Sequence, residues 1–226
     1  GVVNAVLFDP QDIDLILGGP ALRRKYLDIL ICQLDRIYLR SLQSYQKIVY
    51  QRNHLLRLLR DKRAGFQELD YWNEAMVNEG SKLILRRNEI VEELKNLSEE
   101  VHRRVTGIDT GMEIEYSPGV AVSDFQEEEI RKCFSRALEN GLDKEVAAGL
   151  SHSGPHRDDL VIKVDGRDAA IFASRGQARG LAIALRLAEG SILERVRGES
   201  PIVLLDDVLS ELDTLRSRRL LEYACD

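Results

Sequence analysis

The sequence predicts an α/β fold from which two long antiparallel helices extend as an arm, and three stretches carry that prediction. The first is Pro201-Ile202-Val203-Leu204-Leu205-Asp206-Asp207. A run of large apolar residues too short for a helix reads as a strand buried on both faces, as inside a parallel sheet, and two carboxylates close it. The second is Ser174-Arg175-Gly176-Gln177 ahead of the apolar run Leu181 to Ala188. Ser followed three residues later by Gln is a capping box, so Ser174 is expected to be a helix N-cap. The third is helical spacing of apolar residues over Leu22 to Arg60 and again over Leu69 to Val105, separated by a short reversal.

Taken in order, Val2 to Phe8 is β-prone and ends at the turn signal Asp9-Pro10. Asp12 to Leu17 forms a helical turn, and Gly18-Gly19-Pro20 breaks it. From Leu22 the positions Tyr26, Ile29, Leu30, Leu34, Ile37, Tyr45, Ile48, Leu55 and Leu59 predict one continuous helix to Arg60. Asp61 to Phe66, with Gly65, is the reversal. In the second helix Met76, Leu83, Ile90 and Leu97 recur every seven residues, with Leu94 and Val101 between, a coiled-coil seam interrupted at Gly80 and Arg87. Met112 to Tyr116 alternates as a strand, Ser117-Pro118-Gly119 turns, and Phe125 to Glu139 predicts a helix ended by Asn140-Gly141. Asp165-Gly166 between Leu160–Val164 and Ala169–Ala173 is a hairpin signal for two strands. Segments 1–20, 21–106 and 107–226 are thus expected as the end of one sheet with its linker, the helical arm, and an α/β part.

Chemistry enters at the strand ends. In open α/β sheets ligands bind outside the carboxyl ends of the strands, so Asp206 and Asp207 stand where a nucleotide and its metal would meet. That is a Walker B arrangement. Asp206 would hold Mg²⁺, a hard cation that takes oxygen ligands, and Asp207 would polarise a water near the γ-phosphate. The alternative is a core strand whose acids cap the following helix. Ser174 to Gln177 can likewise be a plain helix start, or an anion site using the free N–H groups and the dipole of the helix. The order of signature helix, strand, acids and the turn Glu211-Leu212-Asp213 is that of an ABC-type ATPase.

The longer motifs then resemble one family. Phe8-Asp9-Pro10-Gln11-Asp12, Gly19-Pro20 with Arg23-Arg24, Ser153-Gly154-Pro155-His156-Arg157-Asp158-Asp159-Leu160, Ser174-Arg175-Gly176-Gln177-Ala178-Arg179 and Leu204 to Asp213 are similar to the RecF family of bacterial recombination mediators, SMC-like members of the ABC ATPases. The resemblance implies two ATP sandwiched in an ATP-dependent homodimer. Ser174, Arg175, Gly176, Gln177 and Asp213 would serve ATP, the signature residues in trans, with Asp206 on the metal and Asp207 catalytic. It also implies binding to single-/double-stranded DNA junctions and a RecR partner, in loading RecA at gaps. The Walker A loop G-x-x-x-x-G-K-[ST] is absent; Gly80-Ser81-Lys82-Leu83 lacks its first glycine and the hydroxyl after lysine. The family carries that loop in an N-terminal lobe expected to precede Gly1. These 226 residues alone are therefore expected not to hydrolyse ATP.

Composition bounds the rest. With 44% hydrophobic and 31% charged residues the chain can bury a sizeable core. Cys32, Cys133 and Cys225 make no metal spacing and read as reduced thiols, and no membrane span or signal peptide is visible, which together suggest a cytoplasmic protein. The net charge of −6 does not advertise a DNA protein, yet Arg23, Arg24, Lys25, Arg36, Arg40, Lys47, Arg52, Arg57, Arg60, Lys62 and Arg63 crowd the first third. That crowding is either a local basic surface or a solvated helix face. A structural SMC-like ATPase module and an ABC ATPase acting on something other than DNA are the competing classes; Asp207 in place of the usual glutamate argues against a transporter.

Overall fold

The computed structural model describes residues 5–107, 111–206, 208–209 and 212–225. It is mixed α/β and mostly helical, and contacts divide it into two compact units: Gly1–Leu30, Ile90–Glu115 and Leu160–Asp226, and Ile31–Glu89 with Tyr116–Asp159. The helices of segment 21–106 contribute to both.

In the first unit β1 (Ala5–Phe8) and β5 (Ile202–Leu205) pair in parallel, from Ala5 opposite Ile202 to Phe8 opposite Leu205. Helix α7 (Arg175–Arg197) packs on β1 and on the short α1 (Ile13–Leu17). From Gly180 to Leu185 every α7 residue is buried, as expected of a helix surrounded by core. The strand expected to be buried on both faces is not. Ile202 and Leu204 are 55% and 47% exposed, and Leu7 beside them 50%. In this two-stranded pair α7 lies on the side of Val6 and Phe8, which are buried, while the other face stays open.

A three-stranded sheet orders β2 (Met112–Ser117), β3 (Asp159–Val164) and β4 (Arg167–Asp168). Asp165 and Gly166, at φ 50° and 71°, make the tight turn between β3 and β4, the geometry Asp-Gly favours. The second strand expected over Ala169–Ala173 does not form there, and β4 is confined to Arg167–Asp168 ahead of it. Ala169–Phe172 is a helical turn, α6, because the Asp168 carboxylate accepts from the Ala170 N–H and caps it.

The second unit holds α3 (Arg36–Arg60), the first part of α4 (Gln67–Thr106) and α5 (Glu127–Ala148). The continuous helix expected from Leu22 is two, α2 (Pro20–Leu34) and α3. Asp35 sits between them in extended conformation and its carboxylate accepts from the N–H groups of Ile37 and Tyr38. Asp35 meets Arg86, Tyr38 meets Arg87 and Arg52 meets Asn73, so α3 and α4 run antiparallel across the reversal. Leu55, Leu56, Leu59 and Leu69 form a cluster joined by Trp72, Leu142 and Val146. Those last two explain why α5 runs through Asn140-Gly141 to a left-handed C-cap at Gly149, φ 68°. Burying Leu142 and Val146 outweighs the roughly 1 kcal/mol cost of an interior glycine.

Helix α4 buries a stripe wider than a coiled-coil seam. Val77, Ile84, Val91 and Val105 are buried beside Met76, Leu83, Ile90, Leu94 and Val101. Both interruptions of the heptad are accounted for within the second unit. A Cβ on Gly80 would lie 2.5 Å from Phe134 and 3.0 Å from Tyr45. Arg87 is buried on a carboxylate, as described next.

Candidate functional site

The residues singled out by chemistry fall in two places. The first is the carboxyl end of the β1/β5 pair. Asp206 follows β5, its N–H donating to the Phe8 carbonyl at 3.0 Å, so the strand pairing carries it to the point where β1 also ends. Its side chain is exposed. Beside it Phe8, Asp9, Pro10, Asp12, Arg179 and Val208 are among the residues lining a small cavity of about 20 Å³. Asp9 accepts from the Gln11 N–H at 2.7 Å and Asp12 from the Asp9 N–H at 3.1 Å, a reciprocal cap that fixes this corner. Asp12 also holds the Arg186 guanidinium at 2.6 Å, and Arg186 reaches Glu189 at 2.9 Å. Burial pushes the Glu189 carboxyl up, against the pull of Arg186.

The second place is the N-terminus of α7. Ser174 is the N-cap and makes the expected reciprocal box: the Gln177 N–H donates to its Oγ at 3.3 Å and its own N–H to Gln177 Oε1 at 3.0 Å. Ser174, Arg175, Gly176 and Gln177 are all exposed. A Cβ on Gly176 would meet nothing within 4 Å, so packing within this chain does not demand glycine there. What it leaves is open access to the first-turn N–H groups, whose dipole favours an anion. Ile171 and Phe172, just upstream, are 72% and 64% exposed.

No hydrogen bond or cavity joins these two places among the described residues. Asp213 caps α8 (Thr214–Cys225), accepting from the Arg216 N–H at 2.9 Å and pairing with its guanidinium at 3.4 Å. Asp207, to which the catalytic role is assigned, lies outside the described residues, as do Ser210 and Glu211. Among the described residues no group of three His, Cys, Asp or Glu side chains is gathered for a metal. A single carboxylate such as Asp206 still suits Mg²⁺, which keeps several waters and takes one or two carboxylates plus substrate phosphates. No helix of the described residues is long and apolar enough to cross a membrane.

The stretch His156 to Asp159, left without a chemical role by the sequence, closes a buried network in the second unit. Asp158 accepts from Arg87 Nη1 at 2.6 Å, from the Gly119 N–H at 2.7 Å and from the Tyr116 hydroxyl. Arg87 also donates to the Tyr38 hydroxyl at 2.9 Å and to the Pro155 carbonyl at 2.7 Å. Burial pushes the Asp158 carboxyl up, against the opposing pull of Arg87 and its N–H and hydroxyl donors. A parallel pair, Arg52 on Glu145 at 2.6 Å, is fully buried, with Ser151 and Asn73 as further acceptors for Arg52. The sequence signal was available in Arg87, a cation on a core track of the heptad. Arg87, Asp158, Arg52 and Glu145 are buried, and Arg87, Asp158 and Glu145 hold backbone groups.

No family model matches the chain. Curated relatives do. It is 39% identical over 225 residues to the DNA replication and repair protein RecF of Natranaerobius thermophilus, covering 97% of this chain and 58% of that protein. With the RecF of Bacillus subtilis it shares 38% identity over 226 residues, 98% of this chain and 60% of the relative. A solved structure described as the recombination mediator protein RecF-ATP in the RecFOR pathway superposes with TM-score 0.90 at 35% identity, over 97% of this chain and 59% of that one. The chain thus spans about three fifths of the length of the curated relatives it matches. In sequence and in fold, it is RecF-like over nearly its whole length.

Proposed function

We propose that the chain supplies the helical arm and the second ATPase lobe of a RecF-type ATP-dependent DNA-binding protein acting in the repair of single-strand gaps. Segment 1–20 ends the first lobe's sheet, 21–106 is the arm, and 107–226 carries the signature helix, Walker B and D-loop. The observation that carries this reading is the solvent-facing N-terminus of α7, capped by Ser174 and Gln177 and left open at Gly176. Such a surface is satisfied within its own chain and suited to a phosphate brought by a second subunit. On this reading Ser174, Arg175, Gly176 and Gln177 act across an ATP-dependent homodimer, and Asp213 acts at the same interface.

Bound Mg²⁺ would neutralise charge on the transferring phosphate. Asp206 would hold it at the carboxyl end of β5. Asp207 would orient the attacking water, and being one methylene shorter than glutamate it reaches that water less well. A misplacement of about 1 Å costs on the order of 100-fold, so hydrolysis is slow and acts as a timer. The dimer would engage single-/double-stranded DNA junctions, work with RecR and help load RecA. Stopped-flow kinetics on a protein of RecF length tests the assignment. Asp207→Asn should keep ATP binding and lose hydrolysis, and Asp206→Asn should weaken Mg²⁺-dependent binding itself. Wild-type hydrolysis by Asp207→Asn would leave Asp207 as a capping acid only.

A further inference from the structure

We propose that the outer face of α3 is a track for a nucleic-acid backbone, with Arg36, Arg40 and Lys47 as its phosphate contacts. The buried residues of α3, among them Tyr38, Ser41, Tyr45, Arg52 and Leu56, lie on one side of the helix. At 100° per residue Arg36, Arg40, Gln43, Lys47, Tyr50 and His54 fall on the opposite side, and all of them are exposed. The 25 residues of α3 contain no aspartate or glutamate. Its flanking acids are otherwise engaged. Asp35 caps the helix and faces Arg86 at 3.6 Å, and Asp61 pairs with Arg60 at 3.3 Å. Among the described residues Arg36, Arg40 and Lys47 have no carboxylate partner.

Stability of the helix does not call for these charges. Arg36 sits in the first turn, where the helix dipole disfavours a cation, and the Asp35 carboxylate at the N-cap is spent on the N–H groups of Ile37 and Tyr38. The cations that do serve the fold are elsewhere on α3: Arg52 is buried on Glu145, and Arg57 and Arg60 lie over the Gly149 C-cap of α5, where a cation is favoured. From Arg36 to His54 the stripe runs ~27 Å, about eight base pairs of duplex. Gln43 between Arg40 and Lys47, and Tyr50 and Gln51 just beyond Lys47, add hydrogen-bond donors of the kind that position a protein on phosphate and sugar. The groove between α4 and α5 offers a contrast. It measures about 660 Å³ and its Arg131, Lys132 and Arg136 are matched by Asp70, Glu74 and Glu128, a mixed surface with no preference for a polyanion.

The inference deepens the proposed function and rests on it for nucleic acid rather than another polyanion. It places the DNA contacts of a protein whose net charge is −6 on one acid-free helix face. Fluorescence anisotropy of this chain with a labelled duplex, and with one of its strands alone, measured from about 50 to 200 mM salt, tests it. Losing three phosphate contacts in Arg36→Gln/Arg40→Gln/Lys47→Gln should lower the salt slope by about 3 on duplex or about 2 on single strand. Affinity near 0.1 M salt should drop roughly tenfold to a hundredfold. The slope identifies which form is bound. Arg131→Gln/Lys132→Gln/Arg136→Gln should keep the wild-type slope. Absence of wild-type binding at low salt, an unchanged slope in the α3 variant, or an equal loss in the α5 variant would each overturn the proposal. Failure of the ATPase reading shows separately, in ATP-driven dimerisation of a protein of RecF length, which the α3 substitutions leave intact.

Discussion

Replacing Arg87 by Met should cost the second unit a large part of its stability. The guanidinium is 2% exposed and donates to Asp158, Tyr38 and Pro155. Met fills the volume but takes the guanidinium away from a buried carboxylate that also accepts from the Gly119 N–H and the Tyr116 hydroxyl. Breaking a buried pair by removing one partner costs about 3–5 kcal/mol, against a total stability of about 5–15 kcal/mol for a domain. Asp158→Asn leaves the opposite charge stranded and should cost about 3 kcal/mol. Combining the two should cost less than their sum by roughly 0.5–3 kcal/mol, because they share one network. The assay is urea unfolding followed by the fluorescence of Trp72, the single tryptophan of the chain, packed on the Leu55–Leu69 cluster. With a slope of about 2 kcal/mol/M, Arg87→Met should move the midpoint down by roughly 2 M. A shift below about 0.5 M would refute the assignment of Arg87 and Asp158 as the anchor of this unit.

Two further outcomes follow from packing and titration. Gly80→Ala gains about 1 kcal/mol of helix propensity but drives a methyl against the fully buried Phe134, where overpacking costs about 1–3 kcal/mol. Thermal melts should show net destabilisation, and a stabilised variant would mean that Phe134 and Tyr45 yield freely. His102 is buried, its Nδ1 has no hydrogen-bond partner among the described residues, and burial, then Arg216, lowers its pKa from 6.5. The unfolded chain therefore takes up a proton at higher pH than the native one. The stability tied to neutral His102 is complete above about pH 6.5 and declines as pH falls below it. Urea midpoints at about pH 7.5 and 5.5 should differ less in His102→Gln than in the wild type.

Signals that act over a few residues were legible in the sequence. The Ser174/Gln177 box, the Asp165-Gly166 turn and the reversal at 61–66 each depend on local backbone chemistry, and each forms where expected. Local signals failed where packing overrode them. Asn140-Gly141 has the residues of a helix end, but Leu142 and Val146 beyond it belong to a cluster built from α3 and α4. Asp35 interrupts an unbroken apolar period because its carboxylate serves two N–H groups better as a cap than it would at an interior position. The role of Asp158 was hidden for a different reason. Its partners Arg87, Tyr116 and Gly119 lie far away in sequence, and Arg87, though a visible break in the heptad, does not name the carboxylate it meets. Of the candidate site, residue identities and the cap were readable; the separation of the α7 terminus from Asp206 required coordinates.

The central claim is that the α7 terminus works on the phosphate of a second subunit, and Ser174→Arg in a protein of RecF length tests it most directly. Losing the cap costs about 1 kcal/mol, too little to unfold the lobe, and Ser174→Ala reproduces that loss without the cation. Light scattering with saturating ATP and Mg²⁺ is the measurement. Ser174→Arg should bind ATP as a monomer and remain one, while Ser174→Ala still dimerises at least in part. Full ATP-driven dimerisation of Ser174→Arg would contradict the account, because a bulky cation would then occupy the place assigned to the partner's γ-phosphate.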